Sequence, residues 1–212
     1  MRFLRSPLVA AVVLVSAILF HGREAAAYPP GVGTITKQRT CTGCHINNGK
    51  WDEQRTIIDV VDATTKKSFK DQDGVFRIDV PRGQTLTVLT VIGRAKGDTA
   101  PPPRRNAWAY VDPTQIDTAV FSKFAPGWDV TLPMSCRIVG DKLDGFNGTQ
   151  LTVLPMTVRP TDAARDANVE LQVMLTAGES VKADPKKGML GNYFVRKVVL
   201  RVIDPPPAPA RP

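Results

Sequence analysis

After Trp51 the sequence breaks into short β-branched or aromatic runs: TIIDVVDA, GVFRIDV, QTLTVLTVIGRA, AWAYVD, WDVTLPMSCRIV, TQLTVLPMTV, NVELQVMLTA and NYFVRKVVLRVID. Turn-rich pieces such as KDQDG, PRGQ, GDKLDGFNG and RPTDAARD separate them. Runs of this length at this spacing predict a mostly β fold, an antiparallel immunoglobulin-like β-sandwich. In 128–138, Trp128, Val130, Leu132, Met134, Cys136 and Ile138 alternate with Asp129, Thr131, Pro133, Ser135 and Arg137. That period of two predicts one strand with the first set on the buried face. Pro133 has no N–H for a ladder, so the strand lies at an edge or carries a bulge. Val169, Leu171, Val173 and Leu175 alternate with Glu170, Gln172 and Met174 in the same way. The predicted core is a sheet core, with no sign of a helical bundle.

The ends divide differently. Arg2 and Arg5 precede an apolar run from Leu8 to Phe20, and the small residues Ala25, Ala26 and Ala27 come next. This order of charged, apolar and small residues predicts a secretory signal peptide over 1–27, cleaved after Ala27. The apolar run is shorter than the roughly 20 residues needed to span a bilayer, so no stable membrane span is expected after cleavage. Residues 28–52, rich in Gly, Thr and Asn, read as an irregular arm with one helical turn near its cysteines. The sandwich body is expected over 53–204. DPPPAPARP at the end reads as a disordered Pro-rich tail over 205–212.

The full chain carries a formal charge of +8. Losing Arg2, Arg5, Arg23 and Glu24 with the signal lowers it by two. Positive pairs such as Lys66–Lys67 and Arg104–Arg105 are spread along the chain. No nucleic-acid module is recognisable, and nucleic acid is excluded as a partner. A dispersed positive field favours acidic protein partners instead. Exported chains spend cysteines in disulfide pairs, yet only Cys41, Cys44 and Cys136 are present. This is no disulfide scaffold.

Two of those cysteines stand in TCTGCHINNG at 40–49. Covalent haem attachment needs two thiols that reach the two vinyl groups on one porphyrin edge, and an imidazole directly after the second thiol. Cys-x-x-Cys-His meets both demands. Cys41 and Cys44 would form the thioether links and His45 the proximal iron ligand. Gly43 leaves room for the loop against the macrocycle. A thioredoxin-type site requires a preceding apolar strand, which is missing. A structural zinc requires a second ligand pair, also missing. A plain Cys41–Cys44 disulfide, or a motif that arises by accident, is the remaining alternative.

Through Cys41, Cys44 and His45 the chain resembles the c-type cytochromes, although the residues after the motif read as strands and not as the small helical cytochrome fold. It also resembles secreted bacterial proteins in which a Gly/Pro-rich arm bearing Cys-Thr-x-Cys-His precedes an immunoglobulin-like sandwich. The resemblance implies one haem c per chain, a periplasmic or secreted location, and one-electron transfer to redox protein partners. Two other functions stay open: a five-coordinate haem that binds or senses a gas, peroxide or nitrogen oxide, and an interaction module in which the haem is secondary. No catalytic constellation is visible.

His45 is the only histidine after the signal, since His21 lies within it. Two histidines from one mature chain therefore cannot ligate the iron. Met134 and Met156 read as core positions. Met189, in the Gly-flanked loop KKGMLGNYF, is the first candidate for the distal ligand, and Met174, pointing away from Val173 and Leu175, is the second. A lysine or an open sixth position are the alternatives. Ile46 and Trp51 adjoin the motif, while Trp108, Tyr110, Trp128, Tyr193 and Phe194 are large enough to wall a haem face or to fill the core.

Overall fold

The computed structural model describes residues 39–43, 45–146, 148–177 and 190–204. The expected signal peptide, the first part of the arm and the Pro-rich tail lie outside the described residues.

Seven of the eight predicted runs form one strand each, and the run that starts at Trp128 forms two. The chain runs through β1 (Ile46–Asn47), β2 (Thr56–Asp62), β3 (Phe76–Pro81), β4 (Leu86–Ala95), β5 (Arg105–Val111), β6 (Trp128–Val130), β7 (Met134–Ile138), β8 (Gly148–Pro160), β9 (Ala167–Thr176) and β10 (Leu190–Ile203). One sheet has the order β1-β10-β9-β5-β7, with β3 also on β10, and the other has the order β2-β4-β8-β6. Most pairings are antiparallel, as expected. Two are parallel, and both lie along one edge of β10: β1 at Leu190–Gly191 and β3 at Val198–Ile203.

The sheets close over a single large apolar cluster. Phe76, Ile78, Trp108, Tyr110, Leu171, Val173, Val198 and Leu200 come from the first sheet, and Ile58, Val60, Val88, Ile92, Trp128, Met156 and Val158 from the second. Packing of two apolar sheet faces is what a β-sandwich requires. Trp108, Trp128, Tyr110 and Met156 are thus core residues.

The single strand expected over 128–138 is two strands in different sheets. The chain leaves β8 after Val130 and joins β5 at Met134. Leu132 turns the corner at φ 52° and is 49% exposed. The change of sheet reverses the phase. Arg137 Nη1 donates to Val153 O of the opposite sheet, and Ser135 is buried. Met134 instead packs with Ala109 and Val111 on the outer face, and Ile138 is 61% exposed. Trp128 and Val130 do face the core, but Leu132, Met134, Cys136 and Ile138 do not. Cys136 is therefore a half-buried residue of the outer face and not a core thiol.

One buried charge secures the junction between arm and body. Arg94, 1% exposed, donates to Asp98 at 2.5 Å and to the Asp52 carbonyl at 2.7 Å. The hydrogen bond from Arg94 holds the Asp98 carboxyl below its usual 3.8, and a backbone hydrogen bond from Ala100 and the charges of Arg94 and Arg55 add to it. Its stabilising effect is complete above that ordinary value and is lost as pH falls through the lower folded value. Asp98→Asn should lower unfolding free energy by about 2 kcal/mol near neutral pH, because it removes the nearer of the carboxylates that face a buried guanidinium, the other being Asp52 at 3.4 Å. Urea titrations at pH 7 and in acid should show that difference shrinking as the pH drops.

Candidate functional site

The motif sits on a short arm laid across the outer face of the first sheet. Cys41–Gly43 forms a 3-10 turn. Gly43 N donates to Thr40 O at 3.1 Å, and His45 N to Cys41 O at 3.0 Å. That second bond spans one helical turn, which brings residues four apart onto one side. Cys41 and His45 are thereby neighbours. Cys44 lies outside the described residues.

Three contacts fix the arm beyond the turn. Ile46–Asn47 adds a parallel strand to Leu190–Gly191, Gly49 N donates to Gly191 O at 2.7 Å, and Asn47 Oδ1 accepts from Tyr193 N at 3.0 Å. Asn192 clasps the far end: its Oδ1 accepts from Trp51 N at 2.8 Å and its Nδ2 donates to Gly49 O at 3.3 Å. Trp51 itself is buried in the core, with Nε1 donating to Pro101 O. The approach is close enough to need glycine. A Cβ on Gly49 would fall 2.4 Å from Asn192 Oδ1, and one on Gly191 would fall 2.8 Å from Met174 Sδ and 3.1 Å from Ile46 O.

The face beneath the arm has a defined grid. Tyr193, Met174, Ala107 and Cys136 stand side by side across β10, β9, β5 and β7, and Val195, Gln172, Ala109 and Met134 form the next row. Cys41 packs against the small cluster of Ala109, Val111 and Ile116, and its Sγ lies 3.8 Å from Gln172 Oε1. Gln172 Nε2 donates to Arg39 O at 3.1 Å and to Glu170 Oε2 at 3.2 Å. Arg39 also pairs with Asp117 in the segment after the turn Pro113–Gln115. Cover from the arm explains why Gln172 and Met174 are as buried as the inward-facing residues of β9.

Two polar atoms here are buried without a hydrogen-bond partner: His45 Nδ1 and Tyr193 Oη. Such a group costs about 1–3 kcal/mol. Burial pushes the His45 imidazole below its usual range, so it is neutral at pH 7. Burial raises the Tyr193 phenol, and the nearby Cys41 and Glu170 raise it further. A neutral imidazole is the form that ligates iron, and a half-buried Cys41 is open to an incoming vinyl group. The described part of the motif fits a covalently held haem.

Of the distal candidates, Met189 lies outside the described residues. Met174 is brought to the arm: it is buried, it faces away from Val173 and Leu175 as expected, and its sulfur packs behind Gly191. Tyr193 likewise belongs to the arm side, while Phe194 packs against the core. Sequence patterning does not reveal Gln172 and Glu170 as members of this site, because alternation assigns a face without saying what covers it. No described helix is long and apolar enough to cross a membrane.

No protein-family model matches the chain, and no curated protein matches it. Among solved structures it is similar to an enzyme described as catalysing macrocyclization in alchivemycin A biosynthesis, at 12% identity and TM-score 0.34, covering 78% of this chain and 100% of that one. It is also similar to a family 123 glycoside hydrolase from Clostridium perfringens, at 9% identity and TM-score 0.33, covering 71% of this chain and 27% of that one. Likeness at this level supports no inference about this chain.

Gly49→Val should free the arm while sparing the β9–β10 ladder, since the added methyls meet Asn192 and Gly191 at an overpacking cost of about 1–3 kcal/mol. Hydrogen exchange should then quicken at the amides of position 49 and Trp51 and stay slow at Leu171 and Val173.

Proposed function

We propose that the chain is an exported one-electron carrier in which Cys41 and Cys44 hold one haem c and His45 supplies the proximal nitrogen. The observation that carries this reading is the single helical turn joining Cys41 to a half-buried, neutral His45, within a Cys-x-x-Cys-His sequence that comes after the expected export signal. Bound there, the haem would supply an iron that alternates between Fe(III) and Fe(II).

The protein's own contribution is rigid placement. Trp51 and the Asn192 clasp fix one end of the arm, and Gln172 with Asp117 fixes the other. Rigid attachment limits reorganisation around a site that must change charge without changing shape. Cover from Ala109, Val111 and Ile116 lowers the local dielectric beside Cys41, one of the levers on reduction potential. The basic surface would steer acidic redox partners. For the distal position, Met189 adjoins Leu190, the residue paired with Ile46, and Met174 already lies against the arm.

Absorption spectra of the protein, produced with a cytochrome c maturation system, test this reading. A low-spin spectrum with a sulfur–iron band, unaltered by carbon monoxide, supports a Met-ligated carrier. Met189→Ala or Met174→Ala should abolish that band, whichever is the ligand. A high-spin spectrum that shifts with carbon monoxide would favour the ligand-binding alternative.

A further inference from the structure

The edges of the two sheets are not treated alike. Along β2, Phe69 N donates to Val60 O at 2.9 Å and Ser68 bridges Val61, so the following segment covers that edge. β6, at the far end of the same sheet, is only three residues long. In the other sheet β1 and β3 lie along β10, and β3 is covered in turn where Arg77 N donates to Phe69 O. β7 (Met134–Ile138) ends that sheet on the opposite side, paired with β5 alone among the described strands.

An open sheet edge is a template for a further strand, and proteins that stay single blunt it with charge, proline or a bulge. β7 has no proline and no break in register over 134–138. Its one charged side chain is already engaged within the chain: Arg137 donates to Val153 O at 3.2 Å and pairs with Asp141 at 3.1 Å. The rest of the outer row is apolar, with Met134 and Cys136 half-buried and Ile138 exposed.

The ladder to β5 decides which backbone groups point outward. Tyr110 N donates to Pro133 O at 2.7 Å, and Val139 N to Arg104 O at 3.1 Å. Bonded and non-bonded pairs alternate in an antiparallel ladder, so in the register that runs from Arg105–Ile138 to Ala109–Met134 it is Ser135 and Arg137 that bond to β5. The N–H and C=O groups of Met134, Cys136 and Ile138 therefore point to the outer edge.

We propose that this edge docks a second copy of the chain, the two β7 strands pairing antiparallel about a two-fold axis at Cys136. In that register Met134 of each chain faces Ile138 of the other, and Ser135 faces Arg137, so no like charges are opposed. The residues whose backbone groups point outward are the ones that exchange hydrogen bonds. Centring the axis on Ser135 would pair fewer residues, and centring it on Arg137 would set two arginines face to face. The axis stands perpendicular to the joined sheet, as an isologous contact of this kind requires, and both arms then lie on one face of the dimer. Five paired residues on each side make a small contact, and contacts of that kind are weak and concentration-dependent. The interface does not depend on the haem reading.

Sedimentation velocity of the full exported chain over a range of concentrations should show monomer giving way to dimer. Ile138→Lys alters an exposed side chain outside the β5 ladder bonds. It should raise the dissociation constant about tenfold, because it spoils two cross-strand pairs at once. Hydrogen exchange reads the pairing in the unaltered protein: the Met134 and Ile138 amides should be protected when concentrated and fast on dilution, with Leu171 and Val173 slow throughout. A monomer at every concentration overturns the proposal. So does a dimer that Ile138→Lys does not weaken, or one in which both amides still exchange rapidly. Amides equally protected at all dilutions would mean that another segment of the same chain covers the edge, which overturns it too.

Discussion

The site depends on one act of strand addition. Ile46 and Asn47 extend the edge of β10 in parallel, and the backbones approach so closely at Gly49 and Gly191 that neither position has room for a side chain. The free edge of a sheet offers a row of unpaired N–H and C=O groups, and the arm uses it in the manner of peptides that bind by adding a strand. Further along the same edge, β3 pairs with Val198–Ile203 of β10. Arm and body are thus joined by main-chain bonds that any sequence can make, and the glycines decide where these bonds form. Trp51 then turns that edge contact into a buried anchor, and Arg94 ties the next residue, Asp52, to β4.

This pairing has consequences for the face it crosses. β9 is buried on both sides: Val169, Leu171, Val173 and Leu175 pack in the core, while Gln172 and Met174 lie beneath the arm. A buried glutamine must be satisfied, and Gln172 reaches both Arg39 O and Glu170. The amide therefore links the motif to the sheet by directional bonds, while Ala107 and Ala109 keep the surface below low enough for Cys41 to settle. On the arm side, His45 Nδ1 and Tyr193 Oη are buried without a hydrogen-bond partner, at a cost in stability.

Most of the fold is legible in the sequence because a strand's period of two is set by backbone geometry. Seven of the eight runs form single strands near their expected bounds, and the inward set of β9 is as read. The 128–138 segment misleads for a physical reason. Alternation continues through Leu132 and Pro133, but a left-handed residue there moves the chain to the other sheet and exchanges its faces. Met134 and Cys136 pass with it from the core to the outer surface. The parallel pairings and the covering of Gln172 are not legible either, since they join residues more than a hundred positions apart and leave no local pattern. The motif stands apart from these: its spacing is dictated by the chemistry it serves, so it is readable without any fold.

The most direct test of the account is the intact mass of the exported protein, matured in cells that attach haem to cytochromes and then denatured before measurement. The account predicts a mass equal to the chain from residue 28 onward plus one haem, with the increment lost when both Cys41 and Cys44 are replaced by serine. A denatured chain of unmodified mass, produced where other c-type cytochromes in the same cells are fully matured, would contradict it.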